Sequence, residues 1–313
     1  MRDDVTFRSR GEICRGWLYL PETPSQAPTC GIAMAHGFSG VKEMDLPNFA
    51  ERFAKDGHAV LIFDYRGFGA SDGSPRGRLD PAEQIEDYRN ALSFLGEHPR
   101  IDADRLGVWG TSFSGAHALH LAAFDRRVKA VVSQVPAIDV QANARRLMPP
   151  AQFAAMAALA QANRRRMYLG EPSLTLPVVA PEGQPCMLPS PESYEMLLRQ
   201  QATIAPNWRN ELTLDSFERM MEYRPARSIE LISPTPLLMI VALEDALTPP
   251  DLALDAYEAA LEPKKLVTYP GAHYEAYATP DVFDMCATAA SQWFRDHLAS
   301  SGREVEPKAG GAR

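Results

Sequence analysis

Leu106-Gly107-Val108-Trp109-Gly110-Thr111-Ser112-Phe113-Ser114-Gly115 is the stretch that decides the fold. An apolar run suited to a buried strand ends at Gly110, and a helix-like stretch over 116–124 follows within a few residues. A serine on so sharp a turn between strand and helix is held out from the backbone, and its neighbours must be small. Gly110 and Gly115 supply that room, because residues without Cβ let the chain bend tightly and the helix approach the strand. This is the geometry of a nucleophile elbow. A serine after a strand also serves as an ordinary helix N-cap, so the motif needs partners before it means chemistry.

Those partners lie far along the chain. A serine hydroxyl is a weak nucleophile at neutral pH and needs a base to take its proton and a carboxylate to fix that base's tautomer. In the chain order serine, acid, histidine, the acid follows a late strand and the histidine follows the last one. The apolar run 237–243 leads into Glu244-Asp245-Ala246-Leu247-Thr248-Pro249, and the run 266–269 leads into Pro270-Gly271-Ala272-His273-Tyr274. Glu244 and Asp245 are therefore both candidate acids, and His273 is the candidate base. Each lies just past the carboxyl end of its strand, where open α/β sheets place ligands. The oxyanion formed on an attacked carbonyl needs two fixed N–H donors. Phe113, next after the serine, offers one. Phe38 in His36-Gly37-Phe38, after the apolar run 30–35, offers the other. His36 itself is expected to brace that loop, since His273 already holds the part of base.

Working outward, residues 4–20 read as two strands with a turn at Arg10-Gly11-Glu12, and 21–28 as a loop. Runs 59–63 and 128–135 read as buried strands; 45–56, 81–95, 251–261 and 281–298 read as helices. Apolar strands alternating with amphipathic helices predict an α/β protein, a mostly parallel sheet flanked by helices on both faces. Residues 137–231 break that rhythm. They are rich in Pro, Met and Arg, with short helices expected at about 150–168, 190–201 and 214–222; so long a connection without structure of its own is rare. The expected organisation is a core in two parts, 1–136 and 232–300, an inserted helical lid at 137–231, and a disordered polar tail at 301–313. Met148, Met156 and Met220 of the lid are candidates for lining an apolar substrate pocket, a task that flexible methionine suits.

Composition narrows the function classes. The 313 residues are 45% hydrophobic and 23% charged with a net charge of −8, so neither nucleic acid nor an anionic membrane surface is an expected partner. No apolar run approaches the ~18 residues that span a bilayer. No apolar stretch follows Met1-Arg2-Asp3-Asp4, so no signal peptide is read. Cys14, Cys30, Cys186 and Cys286 are scattered, which favours reduced thiols and a cytoplasmic setting. His117 and His120 could share a helix face but lack a third ligand, so packing is expected of them and no metal. Gly67, Gly69 and Gly73 do not form a G-x-G-x-x-G opening a helix, so no dinucleotide site is expected. The expectation is an enzyme without cofactor acting on a small acyl substrate. A homodimer is compatible with it.

Taken together, these motifs resemble the α/β-hydrolase superfamily. His36-Gly37-Phe38 looks like its oxyanion loop, and Asp64-Tyr65-Arg66-Gly67-Phe68-Gly69-Ala70-Ser71 like its D-x-R-G-x-G-x-S turn. Gly110-Thr111-Ser112 looks like its elbow and Gly271-Ala272-His273 like its histidine loop. The resemblance implies Asp245, not Glu244, as the acid. One departure stands out: the usual glycine two residues after the nucleophile is Ser114, with Gly115 following. That G-x-S-x-x-G form is similar to the elbows of cocaine-esterase and X-prolyl dipeptidyl-peptidase-like hydrolases. The segments 35–43 and 63–69 look like those of dienelactone-hydrolase-related esterases, although true dienelactone hydrolases use cysteine, and like fungal polyketide-transferase-type hydrolases. The resemblance implies an ester or thioester hydrolase acting through an acyl-enzyme on Ser112. An acyltransferase, a C–C hydrolase or a peptidase using the same triad is the alternative. A non-catalytic hydrolase-like binding protein is the alternative of another class, though one would expect it to lack a triad member.

Overall fold

The structure, a computed structural model, describes residues 2–22 and 27–299. The expected tail at 301–313 and the middle of the expected loop at 21–28 lie outside the described residues. The first part of the core runs β1 (Arg2–Ser9), β2 (Glu12–Tyr19), β3 (Thr29–Ala35), α1 (Leu46–Lys55), β4 (Ala59–Phe63), α2 (Pro81–Gly96), β5 (Ile101–Thr111), α3 (Phe113–Phe124) and β6 (Val128–Gln134). The interruption follows as α4 (Val140–Leu147), α5 (Pro150–Tyr168), β7 (Thr175–Leu176), α6 (Pro191–Thr203), β8 (Leu212–Thr213), α7 (Asp215–Met221) and a 3-10 turn over Pro225–Ile232. Then β9 (Leu237–Ala242), α8 (Pro250–Ala259), β10 (Lys264–Tyr269), α9 (Glu275–Ala278) and α10 (Pro280–His297) complete the core.

Eight strands form one sheet in the order β1-β2-β4-β3-β5-β6-β9-β10. It is antiparallel where β2 meets β1 and β4, and parallel from β4 to β10. Successive residues of a strand point to opposite faces, and here both faces are apolar. Leu61 and Phe63 enter one core cluster, while Val60 and Ile62 enter the other; Met239 and Val241 part from Leu238 and Ile240 in the same way. α2 and α3 cover the first face with Tyr88, Leu92, Leu95 and Leu119, and α1 and α10 cover the second with Phe49, Phe53 and Phe294. α2 starts where it does because the Asp80 carboxylate accepts the Ala82 N–H at 2.9 Å and Pro81 takes the first turn, where its missing N–H is no loss.

Two departures from the sequence expectations bear on the site. α3 begins directly at Phe113, not at 116, because the Ser112 carbonyl already accepts the Ala116 N–H at 3.2 Å. Ser114 and Gly115 are poor helix formers, yet the turn that precedes them fixes their backbone. In the interruption, α4, the 3-10 turn and the β7–β8 ribbon are additional to the three expected helices. α4 has only two turns and carries Asn143 within its apolar stripe, which blurs the periodicity that announces a helix.

The core also sets an acid limit on stability. His58 is 3% exposed, and its Nδ1 lies 2.9 Å from Cys30 Sγ. Burial pushes the imidazole down from 6.5 to about 4, and burial drives His117 in the same direction. Between pH 6.5 and 4 the unfolded chain binds protons that the folded chain refuses, so stability falls as the pH falls through that window. Melting temperatures are expected to level off above the window and to drop within it. A His58→Asn variant should show a shallower drop; an unchanged acid dependence in that variant would remove His58 as a cause.

Candidate active site

Four loops converge at the carboxyl edge of the parallel strands: those after β3, β5, β9 and β10. Ser112 sits on the second of them with φ 56° and ψ −120°. A side chain rarely adopts that backbone, and holding it there costs on the order of 1–3 kcal/mol. The surrounding frame imposes it. The Ser112 N–H donates to the Gln134 carbonyl at 2.8 Å, and the Ser112 carbonyl accepts from Ala137 N–H at 3.0 Å. Gly110 is required because a Cβ there would run into the Ser114 carbonyl. Ser114, in place of the usual glycine, is fully buried and hydrogen-bonded. Tyr88 donates to the Trp109 carbonyl at 2.8 Å, so the Ser114 hydroxyl donates to Tyr88 at 2.9 Å and accepts from Tyr65 at 3.3 Å.

The loop after β3 comes close to Ser112. A Cβ on Gly37 would stand 3.0 Å from Ser112 Cβ and 3.5 Å from its Oγ. The Phe38 N–H bonds to nothing among the described residues. Phe113 is the first residue of α3, so its N–H has no partner within the helix. The loop is held from behind by Asp64, which is fully buried. Its carboxylate accepts from the Lys42 backbone N–H at 2.7 Å, from Lys42 Nζ at 2.8 Å and from the Ala70 N–H at 2.9 Å. The glycine-rich turn at 64–73 thus wraps a carboxylate that anchors the Phe38 loop. His36 is buried, with Nδ1 3.0 Å from the Gly37 carbonyl and its ring edge-on to Tyr65.

On the other side, His273 Nδ1 lies 2.6 Å from Asp245 Oδ2, with both residues buried. Burial alone would push the Asp245 carboxyl up, but the charge and hydrogen bond of His273 and the bonds from Thr248 hold it below its ordinary value. Asp245 Oδ1 accepts the N–H groups of Leu247 and Thr248, each at 2.8 Å, and Oδ2 also accepts the Thr248 hydroxyl at 2.7 Å. Glu244 points elsewhere: its side chain is exposed and its N–H bonds the Gly271 carbonyl at 2.9 Å. Ser112 and His273 are not hydrogen-bonded to each other, but they line one cavity together with Phe38, Phe113 and Thr248. Such contacts often tighten only around a bound substrate.

The inserted segment supplies much of the rest of that cavity, including Val140, Leu147, Met148, Met187, Phe217 and Met220. Met156, the third methionine expected there, is buried in the core cluster and is not a cavity residue. His117 packs under Phe113, bonded to Gln84 and Tyr223, and His120 stacks on Phe124. Among the described residues no cluster of His, Cys, Asp and Glu could hold a metal ion, and no helix is long and apolar enough to cross a membrane.

A family model described as serine aminopeptidase, S33, matches residues 27–278. The chain belongs to this family of α/β hydrolases. The thiohydrolase aneE of Aspergillus aculeatus is 35% identical over 91% of this chain and 90% of its own length. The quorum-quenching protein AidA of Acinetobacter baumannii is 34% identical over 88% of each. Further relatives bear the name polyketide transferase. The crystal structure of the α/β hydrolase GrgF from Penicillium superposes with a TM-score of 0.82 at 27% identity, covering 96% of this chain and 99% of that one. A fold and a hydrolase family are thereby fixed.

Sequence reasoning did not single out Thr248 or Asn143. Thr248 binds the carboxylate of Asp245, and its Oγ1 lies 3.3 Å from His273 Nδ1. The D-x-x-T spacing ahead of Pro249 was its signal, because an acid followed three residues later by threonine closes a tight turn around its own carboxylate.

Proposed function

We propose that the protein hydrolyses an acyl thioester or ester through an acyl-enzyme on Ser112. One observation carries this reading: a strained, half-buried serine and a buried Asp245–His273 pair open onto the same cavity, beside two N–H groups that no neighbour uses. His273 Nε2 takes the Ser112 proton as Oγ attacks the carbonyl carbon. The carbonyl oxygen becomes an oxyanion and accepts from the Phe38 and Phe113 N–H groups. When the intermediate collapses, the carbon–sulfur or carbon–oxygen bond breaks, and the leaving group departs with the proton from His273. Water, deprotonated by the same imidazole, then releases the free acid and restores Ser112.

The cavity wall of Met, Leu and Phe side chains suits an apolar acyl chain, and in this reading the insertion is the lid over it. The thiohydrolase among the relatives favours a thioester. The relatives named polyketide transferases favour a second reading, in which an organic acceptor replaces water in the last step. Product partitioning separates the two. The enzyme is incubated with an activated acyl thioester and alcohol, amine and thiol acceptors at millimolar concentration, and free acid is measured against acylated acceptor. Free acid is expected to dominate by about tenfold or more. Dominant transfer in water would overturn hydrolysis and leave Ser112, His273 and Asp245 in their roles.

A further inference from the structure

Two side chains that line the Ser112 cavity carry a buried polar atom without a partner among the described residues: His36, at Nε2, and Asn143, at Oδ1. His36 is accounted for by its place in the Phe38 loop, with Nδ1 already bonded and its ring packed on Tyr65. Asn143 has no such explanation. It is 6% exposed. Val140, Asn143, Ala144 and Leu147 all line the cavity, at the i, i+3, i+4, i+7 spacing that puts them on one face of α4. Three of the four are apolar, and the amide sits in their midst. A leucine of similar size would fill the place without loss, whereas a buried amide oxygen with no donor forfeits its hydration uncompensated. Other polar groups of the cavity wall have partners: Gln200 Nε2 donates to Asp45 Oδ2 at 2.5 Å, and His273 is paired with Asp245.

We propose that Asn143 is a specificity-determining residue that accepts a hydrogen bond from a hydroxyl group on an otherwise apolar acyl chain bound in the Ser112 cavity. The proposal rests on the reading of that cavity as the acyl site. A hydroxyl meets the amide both ways, donating to Oδ1 and accepting from Nδ2. An oxo group has no proton to give Oδ1. An amide N–H would bring a carbonyl needing a donor of its own. The substrate class is therefore a hydroxyacyl thioester or ester, and a site built for a hydroxyl discriminates strongly against the analogue that lacks it.

The test uses N-acetylcysteamine thioesters of one chain length: unsubstituted, hydroxylated at each position in turn, and with the matching oxo groups. The best hydroxylated thioester is expected to exceed the unsubstituted one by about 10- to 100-fold in kcat/KM. Asn143→Leu should collapse that ratio to within about threefold; Asn143→Ala serves in its place if the leucine variant does not fold. Calorimetric binding of the corresponding free acids to the wild-type protein gives the same preference without any turnover. A hydroxyl preference in binding with no turnover would sink the hydrolase reading and leave this one standing. Equal affinity for hydroxylated and plain acids, an oxo preference, or a ratio that survives Asn143→Leu would overturn the role of Asn143.

Discussion

Ser112→Ala is expected to fold as the native chain does and to lose on the order of 10⁴-fold or more of kcat/KM on any acyl ester or thioester the protein cleaves. The structure explains both halves of that expectation. The Ser112 hydroxyl forms no hydrogen bond among the described residues and is only half buried, so its removal leaves no orphaned partner and no sealed void. The strained backbone at 112 is imposed by bonds of the main chain to Gln134, Ala116 and Ala137, which alanine keeps. In the proposed reaction, what disappears is the nucleophile alone. The Phe38 and Phe113 N–H groups and the apolar cavity would still support a small residual rate with water as attacker. The checks are steady-state kinetics, circular dichroism and a fluorophosphonate probe that labels wild type and not the variant. Turnover near wild type in a folded Ser112→Ala protein would remove the acyl-enzyme and the proposed function with it.

The sheet was legible because its central parallel strands, such as β4 and β9, are buried on both faces and so read as unbroken apolar runs; residues 59–63 form β4 without adjustment. The insertion was less legible for a physical reason. Its elements are short, and distant partners hold them in place. Trp208 Nε1 donates to the Ser39 carbonyl at 2.9 Å, the Leu79 N–H donates to Ser216 Oγ at 2.8 Å, and Arg219 pairs with Asp80. None of these partners lies within the insertion, so no local pattern announces them. The same division runs through the site. Ser112, Asp245 and His273 follow strand ends, and a strand end can be read from sequence. Asn143 matters through the cavity that its helix faces, and that face exists only once α4 is folded across the sheet edge. In the sequence it is one polar residue spoiling an apolar stripe. A mid-stripe amide is the one trace that could have raised the question.

Asp245→Asn is expected to cost on the order of 10⁴-fold in kcat, whereas Glu244→Gln should stay within about threefold of wild type, as an exposed surface change does. The hydrogen bonds around Asp245 dictate the outcome. Oδ1 receives two backbone N–H donors, from Leu247 and Thr248, at 2.8 Å. An asparagine must place its carbonyl oxygen there, because an NH₂ group would face two donors with none of its own hydrogens used. Its NH₂ then lies at the Oδ2 position, 2.6 Å from His273 Nδ1. A donor at that point forces Nδ1 to accept and puts the imidazole proton on Nε2. That tautomer cannot take the proton of Ser112, so the nucleophile stays unactivated although every side chain is still in place. Glu244 is exposed and touches none of these atoms. The two variants should therefore differ by about four orders of magnitude in turnover while melting within a few degrees of each other. A slow fluorophosphonate reaction with Asp245→Asn would show that the serine is present and unactivated. If Glu244→Gln proved the more damaging change, the acid would be misassigned, and the bond between Asp245 and His273 would have to be structural.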